Sequence, residues 1–225
     1  MSLAVSLLTA SSSPYRTAFE KQNGGHVAAG FDSRLATADQ VAATAQSHLV
    51  TAHGGPWPSA VLPFQAGTAK VQLNVYGRED PGGVDSLRLV KGRWLQRRGE
   101  IVLAQSLAEA QGVKVGDTVV EVGGAEGVNL RVVGQALDVD SGPYPSFGVQ
   151  PAWVVLGQLD ALAPPGTPGR GYVMAYRLTN AATDADINKA LLPSPSAYRV
   201  GRLAARSLPA RWAASSSVVD VMRSE

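Results

Sequence analysis

Cysteine is absent from the 225-residue sequence. This absence excludes a disulfide framework, thiolate metal sites and a cysteine nucleophile. It is compatible with any compartment, including an oxidising one in which stray thiols are a liability. A chain of this length buries a sizeable core without cross-links, and its length corresponds to one large domain or two small ones.

Charge is also scarce. Charged residues make up 17% of the sequence, below the usual quarter or so, and the formal net charge is +2. The densest basic feature is the single pair Arg97-Arg98, which is typical of a solvated turn. Because lysine and arginine form no longer run, the composition argues against a nucleic-acid partner.

Long apolar runs are missing as well. The sequence contains no apolar stretch of about 18 residues, so none of it is predicted to span a membrane. The apolar segment 3–10 is short and lacks the charged region of a signal peptide. Two interpretations of it stay open: an ordinary helix start, or the outer end of a longer hydrophobic segment.

Side chains suited to catalysis or metal binding are few and dispersed. His48 and His53 lie close together, but the further ligands of a zinc site do not accompany them. The glycine-rich segment 123–127 lies between two predicted strands, which indicates a hairpin rather than a phosphate loop. Segment 138–141 carries fewer oxygen ligands than calcium requires. We therefore predict no catalytic, cofactor-binding or metal-binding residue and no enzymatic activity.

Aromatic residues in loops are the remaining candidates for a functional surface. Trp57 is flanked by prolines, and Tyr144 and Phe147 lie in a long predicted loop. Exposed aromatic side chains on loops are typical of partner contacts, although the same residues also cap the edges of a core. We name Trp57, Tyr144 and Phe147 as candidate partner contacts.

Two local patterns predict regular structure in the first part of the chain. Thr37 followed three residues later by Gln40 predicts a helix start with a capping box, in a helix that continues to about His48. Strict alternation of apolar and polar residues over 69–76 predicts a half-buried strand. Between them, the glycines and prolines of segment 53–58 predict a break in the chain.

Proline and glycine clusters at 80–83 and 163–169 mark two candidate boundaries. Outside them, predicted strands and helices alternate, and near the C-terminus residues 183–192 and 200–222 are predicted as helices. Between them the chain is mostly predicted strand. The sequence therefore predicts an α+β fold with an inserted β-rich part.

One stretch of sequence resembles a known family. It begins with Gly92-Arg93-Trp94, continues with Gly-Glu-Ile-Val-Leu at 99–103 and with Gly-Val-Lys-Val-Gly-Asp-Thr-Val at 112–119, and ends at Val132-Val133-Gly134. This order of segments resembles the extracytoplasmic domain of MacB/FtsX-like ABC-transporter permeases. The match covers the middle third of the chain, and similar strings occur in small β-barrels, including molybdopterin-binding ones.

The residues of this motif are those of turns and strands. Gly112 suits a left-handed helix end, and Gly116-Asp117 suits a turn into the next strand. Glu100 is expected to be solvated at the start of a strand. The motif therefore indicates an architecture and names no chemically active residue.

The resemblance implies a split βαβ-type subdomain built from both chain ends, residues 1–85 and 166–225. Residues 86–165 would form an inserted β-rich subdomain, similar to a small barrel or sandwich. It further implies a location on the extracytoplasmic side of the cell membrane, between two membrane helices of the same permease. The implied partners are those helices, a separate ATPase subunit, an extracytoplasmic protein, and a second copy in the full transporter.

The function implied by the resemblance is non-catalytic coupling of membrane-helix motion to substrate export or partner activation. Two other classes stay open at this point. One is a stand-alone small-molecule- or cofactor-binding β-barrel protein or enzyme. The other is a secreted adhesion or substrate-binding module.

Overall fold

A computed structural model describes residues 17–124, 126–138 and 149–181, and the backbone of 201–205. These residues form one mixed sheet of ten strands, together with helices that pack against it. The strands are β1 (Val27–Asp32), β2 (Val50–Ala66), β3 (Ala69–Gly77), β4 (Arg88–Gly92), β5 (Glu100–Ala104), β6 (Thr118–Glu121), β7 (Val128–Leu137), β8 (Gln150–Val154), β9 (Arg170–Leu178) and β10 (Gly201–Ala205). The helices are α1 (Ala38–Ala43), α2 (Gln105–Ala110) and α3 (Leu156–Leu162), and residues 17–21 are also helical.

The outer part of the chain forms a split βαβ unit. Strand β9 lies between β1 and the first half of β2 and is antiparallel to both, so β1 and β2 run parallel, and α1 connects them. Strand β10 pairs with the other edge of β1. The predicted α+β fold class is confirmed. Throughout, the split βαβ unit means β1, α1, the first half of β2, β9 and β10.

Helix α1 begins as the sequence predicts. The Thr37 hydroxyl accepts a hydrogen bond from the Gln40 amide at 3.3 Å, and the Gln40 side chain accepts one from the Thr37 amide at 3.0 Å. The helix ends earlier than the predicted His48. At its C-cap, the β-branched Thr44 turns its hydroxyl back onto the Val41 carbonyl, and a short 3₁₀ turn follows.

The core of the split βαβ unit lies between its strands and α1. Val27, Val41, Met174 and Tyr176 are fully buried there. The Tyr176 hydroxyl is hydrogen-bonded to the Thr44 hydroxyl, and burial raises the pKa of the tyrosine to about 12. This contact fixes the end of α1 against the sheet.

The remaining strands close into a ring. The second half of β2 pairs with β3, and the pairing continues through β8, β5, β7 and β6. Strand β6 then pairs back with β2, where Phe64 faces Glu121. This is a six-stranded barrel, in which closure removes the exposed edges that an open sheet would have. Throughout, the barrel means these six strands.

Alternate residues of the barrel strands point inward and fill the barrel. Phe64, Leu73, Ile101 and Leu130 are among the fully buried side chains of this core, and α2 and α3 add Leu107 and Leu159. The alternation that predicts strand β3 is thus the alternation between barrel interior and solvent. Two of the six barrel strands come from residues 59–77, which precede the predicted inserted segment 86–165. The barrel therefore includes residues outside that segment. The division of the chain into two subdomains stays a prediction.

The break predicted for segment 53–58 is wrong. Strand β2 continues through it, pairing with β9 on both sides of an irregularity between Gly54 and Trp57. Gly55 has φ +95°, and a Cβ there would lie 2.5 Å from the Val173 carbonyl oxygen. The glycine therefore serves a bulge in which two backbones approach closely, rather than the end of a strand.

The helix predicted from 200 to 222 is wrong at its start. Residues 201–205 are a strand, because the edge of β1 supplies a hydrogen-bonding partner that local sequence does not reveal. The rest of that segment, and the helix predicted for 183–192, lie outside the described residues.

Gly92 and Gly134, the two ends of the sequence motif, face each other across β4 and β7. A Cβ on Gly92 would lie 2.2 Å from the Val133 carbonyl oxygen, and one on Gly134 would lie 2.4 Å from the Arg93 carbonyl oxygen. Both positions lack room for a side chain. The motif is bounded by glycines because two backbones touch at this point.

Candidate functional site

Buried charged and aromatic side chains lie at the contact between the split βαβ unit and the barrel. A small cavity of about 40 Å³ lies there. Its lining includes side chains from β2, β3 and β8 and from the segment that connects β3 to β4, namely Trp57, Tyr76, Arg78, Asp85 and Trp153. We call this region the junction.

Arg78 is the central residue of the junction. It is 4% exposed. Its guanidinium donates hydrogen bonds to the carbonyl oxygens of Asp80 at 2.8 Å and Gly82 at 2.8 Å, and it lies 4.2 Å from the centre of the Trp57 ring. Burial lowers the pKa of Arg78, and the negative charge of Asp85 counteracts this effect. Since arginine stays protonated in proteins, the junction holds a permanent buried cation.

Asp85 lies later in the same segment between β3 and β4 and lines the same cavity. It is 8% exposed and adopts a positive φ of 53°. Its carboxylate accepts a hydrogen bond from the Gly25 amide at 2.5 Å. A carboxylate held by a backbone N–H is a strong, charge-assisted contact. Asp85 therefore ties the connecting segment to the chain just before β1.

The chain before β1 contacts the barrel side through a further set of hydrogen bonds, which we call the Gln22 cluster. The Gln22 side chain donates to the carbonyl oxygens of Ser86 and Leu137, both at 2.9 Å. In return, the Ser86 amide and hydroxyl donate to the Gln22 carbonyl, and the Asp85 amide donates to the Asn23 carbonyl. The end of the first helical segment is thus hydrogen-bonded to the chain just before β4 and to the last residue of β7.

Glu100 is not the solvated residue expected from the sequence. It is 3% exposed, and Arg93 binds both its oxygens, at 2.6 and 3.0 Å. The Gln96 amide donates to the same carboxylate at 2.9 Å. The hydrogen bonds from Arg93 lower the pKa of Glu100 to about 2, against the opposing effect of burial. Glu100 therefore fixes the loop between β4 and β5 as an ionised carboxylate.

The structure places one of the three candidate partner contacts. Trp57 is half-buried on β2, with Arg78 over its ring. Tyr144 and Phe147 lie outside the described residues, so whether the three aromatic residues form one surface stays a prediction. The sequence around Arg78 gives no signal of this role, because the polar run after β3 is indistinguishable from an ordinary surface turn.

His26 has a structural role. Its Nδ1 accepts a hydrogen bond from the Leu178 amide at 2.9 Å, and its ring stacks on Phe19. Burial lowers its pKa, with a further contribution from Arg177, so the neutral form is favoured. In the parts of the chain that the structure describes, no three histidine, aspartate or glutamate side chains come together as metal ligands would.

The groups of the junction are engaged with each other and with the backbone. The Arg78 guanidinium over the Trp57 ring connects the segment after β3 to β2, and the Asp85 carboxylate connects that segment to the chain before β1. Such an arrangement holds two parts of a molecule in a defined relative position.

Within the described residues, no helix combines the length and the apolar character needed to cross a membrane.

Comparison with known proteins returned neither a matching family model nor a matching curated protein. Among solved structures, the periplasmic region of MacB from Actinobacillus actinomycetemcomitans is 15% identical, with a TM-score of 0.44, over 73% of this chain and 79% of that chain. The extracellular domain of the ABC-type transporter YknZ from Gram-positive bacteria is 12% identical, with a TM-score of 0.42, over 72% and 88%.

A domain of a permease protein from Porphyromonas gingivalis is 15% identical to this chain, with a TM-score of 0.44, over 74% of this chain and 80% of that chain. The first two of these similar structures are thus a periplasmic and an extracellular domain of transport proteins, and the third is a domain of a permease.

Proposed function

We propose that this chain is the extracytoplasmic domain of an ABC-transporter permease. In this role it is non-catalytic, and it transmits the motion of membrane helices to substrate export or to the activation of a partner protein. Its partners are the membrane helices of the same permease, a separate ATPase subunit, a second copy of the permease and an extracytoplasmic protein.

The observation that carries the proposal is the pairing of β1 with β10. Val27 is opposite Ala205 in an antiparallel pair. The chain therefore enters the split βαβ unit beside the point where it leaves β10. A domain inserted between two neighbouring membrane helices needs this arrangement, because both connections to the membrane must leave from the same side.

The Gln22 cluster supports the coupling role. It joins the helical segment that precedes β1 to the chain just before β4 and to the end of β7. A displacement of that segment acts on the barrel through these hydrogen bonds, as well as through β2, which belongs to both units. Packed and hydrogen-bonded elements of this kind are the physical carriers of coupling between distant sites.

The packing of the barrel favours this proposal over a cofactor-binding barrel. Barrels that hold a ligand enclose it in the space between their strands. Here that space contains the packed side chains of Phe64, Leu73, Ile101 and Leu130.

The location is tested by single-cysteine labelling, for which a cysteine-free chain is well suited. In the full-length protein, with any other cysteines removed, Lys70→Cys places a thiol at an exposed position of β3. We expect a membrane-impermeant maleimide to label it in intact cells, and an ATPase subunit to co-purify with the protein. Labelling that needs cell lysis, or purification without an ATPase, contradicts the proposal.

Coupling is tested in the same full-length protein with Ser86→Cys, a half-buried position in the Gln22 cluster. We expect its labelling rate to differ by a few fold between ATP and a non-hydrolysable analogue, because opening of the cluster exposes the thiol. Lys70→Cys is the matched control and should label at one rate in both conditions. Equal rates at Ser86→Cys would exclude coupling through this cluster.

A further inference from the structure

His26 directly precedes β1 and contacts both the helical segment 17–21 and the end of β9. Its backbone amide donates to the Tyr176 carbonyl at 2.7 Å, which extends the pairing of β1 with β9 by one residue. Its ring stacks on the Phe19 ring, with 16° between the planes and 6.1 Å between the centres. The imidazole is therefore a part of the split βαβ unit against which the helical segment packs.

The Nδ1 atom of His26 accepts a hydrogen bond from the Leu178 amide at 2.9 Å, and Leu178 is 4% exposed. A backbone N–H can only donate, so Nδ1 carries no proton in this arrangement. The hydrogen bond exists only while the imidazole is neutral.

The neighbouring charges do not favour a second cation at this point. The Arg177 guanidinium donates to the Asn23 side chain at 2.9 Å, and it lies 6.0 Å from the centre of the Phe19 ring. Burial and the positive charge of Arg177 both lower the pKa of His26. Further charged side chains on the adjoining segments are those of Glu20, Lys21 and Asp85. The first two are exposed and opposite in charge, and the third is held by a backbone amide.

Protonation of His26 adds a proton to Nδ1, so that two N–H groups point at each other. If the ring turns away, the Leu178 amide loses the acceptor that His26 supplies. A buried donor that loses its acceptor is costly. Opening of the contact between Phe19 and His26 relieves both effects, since the charged ring can then turn to solvent and water can reach the amide.

We propose that protonation of His26 releases the helical segment 17–21 from the split βαβ unit. The neutral ring binds the Leu178 amide and packs on Phe19, and the protonated ring gives up both contacts. Residues 22 and 23 stay in place, because the Gln22 cluster holds them through groups that do not titrate in this range. The inference goes beyond the proposed function and does not depend on it.

The direction of the pH dependence follows from the lowered pKa of His26. A ring freed by the release has the ordinary pKa of a histidine, so the released state binds the proton more tightly than the attached state. The attachment is therefore fully stable above the ordinary pKa, and it weakens as the pH falls below that value.

The test is an NMR titration of the ¹⁵N-labelled chain between about pH 8 and about pH 4.5. The His26 ring shifts give the midpoint of its titration, and the heteronuclear NOE values of amides 18–21 report the order of the helical segment. We expect these NOE values to fall with the midpoint of the ring, and the protection factor of the Leu178 amide against hydrogen exchange to fall about tenfold. The Thr179 amide, which donates to the chain before β2, and the Ser86 amide of the Gln22 cluster should keep their protection factors.

Two variants identify the group that binds the proton. His26→Gln removes the titrating ring, so the NOE values and the protection factor of the Leu178 amide should each keep one value throughout the titration. His53→Gln, at an exposed position of β2, is the matched control and should respond to acid as the parent chain does.

The proposal is overturned if segment 17–21 keeps its order while His26 titrates, or if the order is lost at a different midpoint. It is equally overturned if His26→Gln retains the acid response. If that variant does not fold, the comparison of the two midpoints in the parent chain still decides.

Discussion

At the scale of single residues, Glu100 shows how a buried charge is stabilised. Its carboxylate is ionised in the folded protein because Arg93 and the Gln96 amide both donate to it. Its pKa of about 2 lies below that of an unfolded glutamate, about 4.3. The stabilisation is therefore complete above the unfolded value and is lost as the pH falls towards 2.

We predict that Glu100→Gln lowers the free energy of unfolding by roughly 2 kcal/mol at pH 7, and that the difference disappears as the pH approaches 2. Urea denaturation as a function of pH measures this. Glu109→Gln is the control, since that carboxylate is about half exposed and its ion pair with Lys91 is worth little. A difference that stays constant with pH would show that ionisation of Glu100 is not the cause.

Gly134 leads to a second prediction at this scale. A Cβ at this position would lie 2.4 Å from the Arg93 carbonyl oxygen, whereas nothing lies within 4 Å of a Cβ on Gly30 in β1. We expect Gly134→Ala to destabilise the protein by about 1–3 kcal/mol, through overpacking of β4 against β7. Gly30→Ala should change the stability by less than about 0.5 kcal/mol.

The urea midpoints of the two alanine variants give a direct comparison, because both glycines lie in strands with ordinary φ. Equal effects on the two midpoints would mean that the loss of glycine itself, and not the contact with the Arg93 carbonyl, determines the result.

At the scale of elements, the Gln22 cluster connects a helical segment to the chain before β4 and to the end of β7. Gln22→Leu keeps the size of the side chain and removes both donated hydrogen bonds. The Asp85 amide donates to the Asn23 carbonyl and the Ser86 amide donates to the Gln22 carbonyl. We predict that both amides exchange with solvent about tenfold faster in this variant. The Val132 amide, which donates to Asp117 within the barrel, should keep its rate.

Gln65→Leu is the control for this experiment, because the Gln65 side chain only bridges to the exposed turn at Gly67. Hydrogen exchange followed by NMR measures all the rates. Faster exchange throughout the barrel would contradict the prediction, since it would indicate global destabilisation in place of local opening.

The elements also show what local sequence could predict. The capping box at Thr37 and the alternation in β3 are local patterns, and both predictions are confirmed. Strand β10 and the passage of β2 through its glycines depend on neighbours distant in the chain, β1 and β9. Local composition indicated a helix and a break there. Such tertiary contacts override propensity, and a single sequence does not reveal them.

The same distinction applies to the candidate site. The flanking prolines single out Trp57 in the sequence, whereas Arg78, which covers its ring, carries no local signal. The sequence predicts a solvated Glu100, because a glutamate at a strand start is usually exposed. Its burial follows from Arg93, a pairing that only the fold of the β4–β5 loop establishes.

At the scale of the whole molecule, two units share one sheet and one long strand. Strand β2 pairs with β9 through its first half and with β3 through its second, so neither unit is complete without it. The junction and the Gln22 cluster add polar contacts beside this shared strand. The two units are therefore joined by both covalent and hydrogen-bonded connections.

The pairing of β1 with β9 and β10 also determines the order in which the protein assembles during synthesis. The barrel is complete once Val154 has been made, whereas both neighbours of β1 come later. Contacts between segments this far apart close long loops and form slowly. The barrel can therefore fold first, while β1 leaves the ribosome early and waits without a partner until the last strands arrive.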